Sequence, residues 1–435
     1  MTGDAPRGGP LVVLDDDPTG TQAMANVPVL LAWDEALVAK TAVSGPSAMH
    51  LLTNSRAWPP EEARKIVLDA ASTAVSALGR PRLALRGDST LRAHLLEEYL
   101  AVCEAAFGDR RPPLLLVPAL PPAGRITVGG VHYIERNGAR TPLHETEYAA
   151  DPSFAYRDAR LLQWAEDRSD GLFARADGRE VHLARLRAEG PDSVACELLD
   201  LAERSEPAVC APDAETLDDL RTIAGGLRLA EARGAEIVVR SAPTFVGIVA
   251  GNLAEGFVPP PAAHGGLLVV CGSYVPSSTR QLAALVEAHP DSLVEVDVLA
   301  LASERPENEV DRAARAASVR LRRDGLAVVA TPRERPEGTR TFEAGQRIAA
   351  SLAAVARNVD PSPGVVLAKG GITAGVTART GLGARSGTVL GPLVDGVALW
   401  RLDRGGGETI PYVVFPGNVG DDGTLLEVVD GILQA

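Results

Sequence analysis

Three aspartates stand side by side directly after an apolar run near the start of the sequence. They are Asp15, Asp16 and Asp17, and the Pro18 and Gly20 that follow specify a tight turn. Adjacent carboxylates repel one another, so they are costly to hold together unless cations or hydrogen-bond donors face them. The pattern indicates a site where carboxylates bind substrate hydroxyls, bind a metal or accept a proton. The alternative is a solvated acidic turn that caps a helix.

Two further polar clusters follow apolar runs in the first half of the chain. One combines two cations with an acid and two hydroxyls: Arg86, Asp88, Ser89, Thr90 and Arg92. The other is a proline-rich loop that ends in Arg125. Arginine pairs hold a carboxylate, and the acid and hydroxyls bind alcohols, so both clusters suit a small polyhydroxylated acid. The acid or a hydroxyl could instead be the N-cap of the next helix. The neighbouring His94, His132 and His144 are interpreted as structural.

One pattern occurs three times in the last third of the chain: an apolar run ends in Gly with Ser, Thr or Asn, and a helix-like segment follows. The turns lie at residues 272–273, 369–373 and 416–418. The carboxyl ends of strands in an open α/β sheet line the ligand crevice, and glycine there lets the backbone approach a ligand. Helix N-termini favour anions. Three such turns predict a nucleotide phosphate site. Lys369 stands out because lysine is otherwise nearly absent, although a chance surface lysine is the alternative.

The bulk composition restricts the function classes. A length of 435 residues favours two domains, and a net charge of −14 without a basic run argues against nucleic-acid or membrane partners. No apolar stretch reaches the length of a membrane span, and residues 1–10 lack the apolar stretch of a signal peptide. The four cysteines form no C-x-x-C pair. We therefore expect a protein of the reducing cytoplasm without a disulfide framework or a zinc site.

Apolar runs alternate with longer amphipathic stretches, which predicts βαβ units. Strands are expected at 11–14, 27–31, 83–86, 114–117, 208–211, 237–239, 267–271, 293–296, 326–330, 365–368 and 413–415. Helices are expected at 60–78, 91–107, 215–233, 277–289, 307–323 and 342–356. The predicted fold is α/β with two domains, each a mainly parallel sheet flanked by helices, and with the active site in the interdomain cleft. A substrate domain at 1–256, a Pro/Gly-rich linker at 257–266 and a nucleotide domain at 267–435 are expected, with an ordered functional loop at 124–151.

At this point the motifs resemble those of the four-carbon acid sugar kinases. The similar segments are Asp-Asp-x-Thr-Gly at 16–20, Arg-x-Asp-Ser-Thr-x-Arg at 86–92 and Pro-Ala-x-Pro-x-x-Gly-Arg at 118–125. A Thr-x-Ser-Arg-type segment at 53–56 and the three glycine turns of the last third also match. Ala93 departs from the family pattern, which has Gly there. The motifs span nearly the whole chain in the expected order.

The resemblance implies ATP-dependent phosphorylation of a terminal hydroxyl on threonate, erythronate or a 3-oxo-tetronate. It implies that Asp16 or Asp17, and after them Asp88, are catalytic, with the identity of the base left open. The implied substrate contacts are Thr19, Arg86, Ser89, Thr90, Arg92 and Arg125. The implied ATP contacts are Ser273, Lys369, Gly370, Gly371, Ile372, Thr373, Gly417 and Asn418. Mg²⁺ is expected from the chemistry without a ligand motif. Partners would be a small acid sugar and, in a possible homo-oligomer, further copies of the chain.

Two other readings stay open. Asp15, Asp17 and Thr19 also fit the Asp-x-Asp-x-Thr pattern of haloacid-dehalogenase-type phosphatases, with Asp15 as nucleophile. That reading leaves the clusters around Asp88 and Arg125 unexplained. The second alternative is a non-catalytic sensor of nucleotide or acid sugar that has kept the fold.

Overall fold

A computed structural model describes residues 9–136 and 138–435. Most of the polar start predicted at 1–10 lies outside the described residues. The chain divides into two compact units. The first comprises Met1–Asp16 and Trp33–Leu253, and the second comprises Asp17–Ala32 and Ala254–Ala435. The division after Leu253 lies close to the predicted linker, whereas the assignment of Asp17–Ala32 differs from the prediction of one continuous domain at 1–256.

The first half of the chain alternates strands and helices. Its strands are β1 (Leu11–Asp15), β2 (Val27–Leu30), β3 (Ala48–Leu52), β4 (Arg82–Arg86), β5 (Leu114–Val117), β6 (Arg125–Val128), β7 (Val131–Arg136), β8 (Ala139–Pro142), β9 (Arg179–Val181), β10 (Val209–Pro212) and β11 (Val238–Ser241). Its helices are α1 (Glu35–Val43), α2 (Pro60–Leu78), α3 (Leu95–Phe107), α4 (Leu161–Arg168), α5 (Leu183–Glu189), α6 (Asp192–Ala202), α7 (Leu217–Ala232) and α8 (Pro243–Ala250).

The first unit has a parallel sheet with the strand order β3-β1-β4-β11-β5-β10-β9. β1 lies inside this sheet, and all five of its residues are buried. A strand covered on both faces needs a continuous apolar run, which explains the sequence of β1. Parallel strands end at the same edge, so the residues after β1, β3, β4, β5 and β11 come to one side of the sheet.

The segment predicted as an irregular functional loop is a small sheet instead. β6, β7 and β8 pair antiparallel in that order, and short 3₁₀ turns follow them. The glycines at 129, 130 and 138 have positive φ and make the tight connections, which is why the segment resembles a loop in sequence. Short strands joined by glycine turns are hard to distinguish from an ordered loop.

The second half of the chain follows the same alternation until residue 371. Its strands are β12 (Leu267–Cys271), β13 (Leu293–Glu295), β14 (Leu326–Ala330), β15 (Val365–Lys369), β16 (Ser386–Val394), β17 (Val397–Gly405) and β18 (Glu408–Phe415). Its helices are α9 (Pro276–Ala288), α10 (Val298–Ala302), α11 (Glu307–Asp324), α12 (Phe342–Asn358), α13 (Gly371–Val376), extended by a π-helical turn at Thr377–Gly381, and α14 (Thr424–Gln434).

The second unit has a mixed sheet. β13-β14-β12-β15-β18 are parallel in this order, and β17, β16 and β2 continue the sheet antiparallel. β2 belongs here because Val27–Leu30 pairs with residues 386–389 of β16. A core on one side of the sheet includes Val269, Leu367 and Val413, all fully buried. The predicted α/β class with two domains and mainly parallel sheets is confirmed.

No helix in the two described stretches, 9–136 and 138–435, combines the length and the apolar character that crossing a membrane requires. The predicted cytoplasmic location stays a prediction.

Candidate functional site

Asp15 ends β1, and Asp16 follows it, inside a buried cluster of cations. The sheet register places Arg86 at the end of β4 beside Asp15. The Nη1 of Arg86 donates to Asp15 Oδ1 at 3.1 Å and to Asp16 Oδ1 at 2.7 Å. His50 on β3 places its Nδ1 2.8 Å from Asp15 Oδ2. The first two carboxylates of the acidic run are therefore compensated from both neighbouring strands, and they are not a solvated acidic turn.

Asp16 keeps one carboxylate oxygen outside this network. Its Oδ1 also accepts from Nη2 of Arg56 at 3.2 Å, whereas its Oδ2 is buried and has no hydrogen-bond partner among the described residues. Burial raises the pKa of Asp16 to about 7, and the nearby Arg56 and Arg86 oppose this shift. Desolvation disfavours the charged carboxylate, and the arginines recover only part of that cost. A carboxyl group with a pKa near neutrality suits a proton acceptor at physiological pH.

Asp88 lies beyond Arg56, which links the two acids. The Nη1 of Arg56 is 3.5 Å from Asp88 Oδ2, and the Nε of Arg92 donates to the same oxygen at 2.6 Å. Thr90 Oγ1 also donates to this carboxylate. Burial raises the pKa of Asp88, but Arg92 and Arg56 outweigh it and hold that pKa well below its usual range. Asp88 is therefore an ionised anchor, in contrast to Asp16.

The loop that carries Asp88 is fixed through its backbone. His132 Nε2 is 2.9 Å from the carbonyl oxygen of Ser89, and the Tyr156 hydroxyl donates to that of Thr90 at 2.9 Å. Leu91 has a φ of 64°, which a regular helix cannot accommodate. α3 consequently begins at Leu95 and not at Leu91 as predicted. Burial lowers the pKa of His132 to about 4, so this histidine is a neutral structural group, as expected.

A second buried ion pair lies below this loop. Arg240, at the end of β11, pairs with Glu98 on α3, and Ser55 Oγ donates to Glu98 Oε1 at 2.6 Å. A Cβ atom on Gly87 would be 2.7 Å from Nη2 of Arg240, which explains the glycine between Arg86 and Asp88. The ion pair of Arg240 with Glu98 therefore leaves room only for glycine at position 87, where the chain leaves β4.

Two predicted substrate contacts, Arg125 and Arg92, differ in their surroundings. Arg125 starts β6 and donates through Nη1 to the carbonyl oxygen of Ala123 at 2.8 Å. Arg92 is 23% exposed, with Nη1 3.6 Å from Asp151 and the guanidinium 5.8 Å from the centroid of the Tyr148 ring. Arg92 is therefore accessible, whereas Arg86 is committed to Asp15 and Asp16.

Asp17 and Thr19 belong to the second unit, and the peptide bond after Asp16 joins the two units. The amide of Thr19 donates to Asp17 Oδ1 at 2.8 Å, so Asp17 caps the 3₁₀ turn at Pro18–Thr21. A Cβ atom on Gly371 would come within 1.8 Å of Asp17 Oδ2. The carboxylate of Asp17 therefore lies against the start of α13, and only glycine fits there.

The three glycine turns of the second unit meet. Ser278 Oγ donates to the carbonyl oxygen of Gly417 at 2.9 Å and lies 2.9 Å from Ser273 Oγ. A Cβ on Gly417 would be 2.6 Å from Ser273 Oγ, and one on Gly272 would be 2.3 Å from Thr373 Oγ1. Ser273, Thr373 and Gly417 thus line one space in which added side chains would clash.

The remaining predicted nucleotide contacts occupy the same turns. Gly370 has a φ of 108°, which favours glycine, and its amide donates to the carbonyl oxygen of Phe415 at 2.8 Å. Ile372 is 41% exposed, and Asn418 is partly exposed after Gly417. Glycine backbone at strand ends, followed by a helix, is a cradle that suits phosphate groups. The residues present therefore fit a nucleotide.

Lys369 does not lie at the surface of this cradle. Its side chain is fully buried, with Nζ 3.1 Å from the carbonyl oxygen of Pro416 and 3.8 Å from the centroid of the Phe415 ring. Burial lowers the pKa of Lys369 to about 7. The alternative of a chance surface lysine is therefore wrong. The buried side chain of Lys369 contacts Phe415 and Pro416 at the start of the third glycine turn.

No group of three or more His, Cys, Asp or Glu side chains among the described residues is arranged as a metal site. Mg²⁺ commonly binds through only one or two carboxylates together with substrate phosphates and water. Asp17 is the acid that the Gly371 turn brings next to the cradle, so its carboxylate fits that role.

Sequence reasoning missed three members of the first cluster. His50 is the only polar residue of β3, and Arg240 interrupts the apolar run of β11, so a lone polar group inside a buried strand was the available signal. Arg56 lies in the segment that resembles the family, but no role was predicted for it. Each of these residues acts by pairing with a carboxylate that is remote in sequence.

Comparisons with known proteins match a different domain family to each half of the chain. Residues 11–249 match the family model of a sugar-binding N-terminal domain, and residues 268–425 match that of a nucleotide-binding C-terminal domain. The chain is 28% identical to a D-erythronate kinase of Heliobacterium modesticaldum, over 88% of this chain and 87% of that protein. It is 23% identical to a D-threonate kinase of Salmonella typhimurium, over 96% and 97%.

Solved structures share the fold. A Haemophilus influenzae protein matches with a TM-score of 0.63 and 17% identity over 97% of this chain and 99% of that one. A Salmonella typhimurium protein described as a putative tRNA synthase matches with a TM-score of 0.69 and 19% identity, over 96% and 98%. The two domain matches and the two kinase relatives cover nearly the whole chain and confirm the predicted family. The chain belongs to the four-carbon acid sugar kinase family.

Proposed function

We propose that this protein is an ATP-dependent kinase that phosphorylates a terminal hydroxyl of threonate, erythronate or a 3-oxo-tetronate. The observation that carries the proposal is the environment of Asp16: a buried carboxyl group with a pKa of about 7 and one unengaged oxygen among the described residues, in the domain that matches a sugar-binding family. Such a group accepts the proton of an attacking hydroxyl.

The residues of the first unit divide into two roles in this proposal. Arg86 and His50 are positioning residues, because both are committed to Asp15 and thereby hold the end of β1. Arg92 and Arg56, which are partly exposed, would bind the carboxylate of the sugar acid next to Asp16 and Asp88. Arginine suits this role because its planar fork matches a carboxylate.

The residues of the second unit would hold the nucleotide. The backbone around Ser273, Gly370 and Gly417 would surround the phosphates, and Asp17 would hold Mg²⁺, which supplies charge neutralisation on the phosphates when bound. The predicted location of the active site at the interdomain cleft stays a prediction, and so does a homo-oligomer.

The phosphatase reading requires Asp15 to act as a nucleophile. Asp15 is 1% exposed, and its two oxygens face His50 and Arg86. A nucleophile needs a carboxylate oxygen that can reach an incoming phosphorus atom in line, and both oxygens of Asp15 are engaged, in contrast to Asp16 Oδ2. The kinase reading is therefore preferred on the geometry of Asp15 as well as on the relatives.

The test is ADP release by the purified protein with MgATP and a panel of four-carbon acids: both threonates, both erythronates and the 3-oxo-tetronates. Turnover with one acid is the expected result, with kcat lowered roughly 100-fold or more in Asp16→Asn. The matched control is Asp218→Asn, because Asp218 is an exposed aspartate of α7 and its loss leaves the cluster intact.

The other outcomes separate the alternatives. Binding of ATP and an acid without turnover would support the sensor. A covalent phosphate on Asp15 would support the phosphatase. Absence of any nucleotide binding would refute the kinase proposal itself.

A further inference from the structure

The polyphosphate chain of a nucleotide carries several negative charges and needs cations near it, in a protein whose own net charge is −14. The cation predicted for this role was Lys369. Its ammonium group is fully buried against Phe415 and the carbonyl oxygen of Pro416, on the inner side of the turn. The nucleotide half therefore needs another source of positive charge.

The carboxyl end of β14 supplies such a source. β14 pairs in parallel with β12, with Ala330 opposite Cys271, so the residues after both strands leave the same edge of the sheet. Arg333 follows β14, and its Nη1 donates to the carbonyl oxygen of Ser273 at 3.0 Å. Its Nη2 donates to Thr331 Oγ1, also at 3.0 Å. The guanidinium is thereby held on the first glycine turn, next to the space that Thr373 and Gly417 line.

A second arginine lies beside it. The guanidinium carbons of Arg333 and Arg335 are 6.0 and 5.4 Å from the centroid of the Tyr274 ring, so the tyrosine that follows Ser273 contacts both cations. Nη2 of Arg335 donates to the carbonyl oxygen of Thr339 at 2.5 Å. Both arginines are only partly buried.

Neither arginine is neutralised by the protein. Within the described residues no carboxylate lies within 4.0 Å of either guanidinium, and the buried Nε atoms of both have no hydrogen-bond partner. Other arginines of the same unit are paired with acids, such as Arg280 with Asp422 at 2.7 Å and Arg312 with Glu309 at 2.6 Å. Two guanidinium groups that contact one tyrosine, without a carboxylate near either, form an arrangement that a bound anion would stabilise.

We propose that Arg333 and Arg335 bind the phosphate chain of the nucleotide and supply the positive charge that the enclosed Lys369 does not. This inference rests on the proposed function and extends it, because neither arginine lies in a segment that the family motifs cover. Arg333 would contact the phosphates from the Ser273 turn, and Arg335 would contact them from its position at the Tyr274 ring.

Calorimetric titration of the full-length protein with ATP, ADP and adenosine tests the assignment without measuring turnover. Arg333→Gln and Arg335→Gln are each expected to weaken ADP binding at least tenfold and to leave adenosine binding unchanged. Their ADP affinity is also expected to depend less on salt concentration than that of the wild type, because fewer charge contacts remain. Arg280→Gln is the matched control, since Arg280 is an exposed arginine of the same unit, and it should bind ADP as the wild type does.

Arg333 also holds the Ser273 carbonyl, so a weaker ADP affinity of Arg333→Gln alone could reflect a displaced turn. Arg335 makes no bond to that turn, and Arg335→Gln therefore separates charge from structure. Wild-type ADP affinity in Arg335→Gln would overturn the assignment, and so would an equal loss of adenosine affinity, which would indicate contact with the base. Failure of the wild type to bind any nucleotide would overturn the proposed function together with this inference.

Discussion

The pKa of Asp16 makes a prediction about stability that does not depend on catalysis. Replacing Asp16 by Asn removes a group that titrates near pH 7 in the folded protein and near 3.8 in an ordinary unfolded chain. The folded state therefore binds more protons than the unfolded state between these two values. Stability from this group is fully present below pH 3.8 and is lost as the pH rises through 7.

The size of the effect follows from the two pKa values. A full proton difference changes the free energy of unfolding by about 1.4 kcal/mol per pH unit. Integrating the two titration curves shows that the free energy of unfolding of the wild type falls by about 2.5 kcal/mol from pH 5.0 to pH 7.5 because of Asp16. Asp16→Asn lacks the titrating group and does not show this decrease. Asp16 is 2% exposed, so solvent screening does not reduce this figure much. Arg86 and Arg56 each lose one acceptor in the variant but keep Asp15 and Asp88 as partners, so the resulting offset is the same at both pH values.

Urea unfolding followed by tryptophan fluorescence measures this difference. Trp33, Trp58 and Trp164 lie in the first unit and Trp400 in the second, so a Trp400→Phe background makes the signal report the first unit. The free energy of unfolding of the variant, relative to that of the wild type, is expected to be about 2.5 kcal/mol higher at pH 7.5 than at pH 5.0.

Asp88→Asn is the matched control for this experiment. Asp88 is a buried aspartate of the same cluster, but its arginine partners hold its pKa well below the usual range, so it stays ionised from pH 5.0 to 7.5. The difference between Asp88→Asn and the wild type should not change over this interval. If Asp16→Asn also gives a constant difference, the carboxyl group of Asp16 is ionised throughout, and its assignment as the proton acceptor loses its physical basis.

Three further predictions concern other parts of the two units. Gly87→Ala places a Cβ 2.7 Å from Arg240 and should lower the free energy of unfolding by roughly 1–3 kcal/mol in urea titrations, whereas Gly256→Ala, which meets no atom within 4 Å, should not. Burial lowers the pKa of Lys369 from 10.5 to about 7, so the free energy of unfolding of the wild type rises with pH between these values. The free energy of unfolding of Lys369→Met relative to the wild type should therefore fall by about 2 kcal/mol from pH 7 to pH 9. A difference that does not change with pH would mean that Lys369 has an ordinary pKa. Asp17→Asn should raise the Mg²⁺ concentration for half-maximal activity roughly tenfold at unchanged KM for the sugar acid; an unchanged Mg²⁺ requirement would remove Asp17 as a ligand.

Most parallel strands of both sheets were predictable because they are apolar runs, whereas β3, which His50 interrupts, and the short β9 were missed. β1, β12, β14 and β15 are buried along their whole length. A strand that is covered on both faces needs a nearly continuous apolar sequence, which can be recognised without the structure. The antiparallel strands β16 and β17 were missed. β16 contains Gly387, Gly391 and Pro392 and has irregular register near them, so its local sequence resembles a loop.

The assignment of Asp17–Ala32 could not be predicted from local sequence. It depends on the pairing of β2 with β16, more than 350 residues later, and no periodicity within β2 distinguishes that partner from a strand of the first unit. The same limit applies to the site. Polar groups and glycines at strand ends predicted Asp16, Asp88, Ser273 and Gly417 as site residues, whereas contacts such as Arg56 with Asp16 are set by the tertiary fold.

The two adjacent aspartates of the family motif have different surroundings, and these surroundings suit different chemistry. Asp16 directly follows the buried strand β1 and lies among arginines, where desolvation brings its pKa to about 7 and makes it suitable for accepting a proton. Asp17 caps the following turn and lies against Gly371, where a carboxylate suits a divalent cation better than a substrate alcohol. Both aspartates follow the end of β1, and their carboxylates contact different groups: Asp16 accepts from Arg86, and Asp17 accepts from the amide of Thr19. An exchange of roles between them is therefore not expected, even though their side chains are identical.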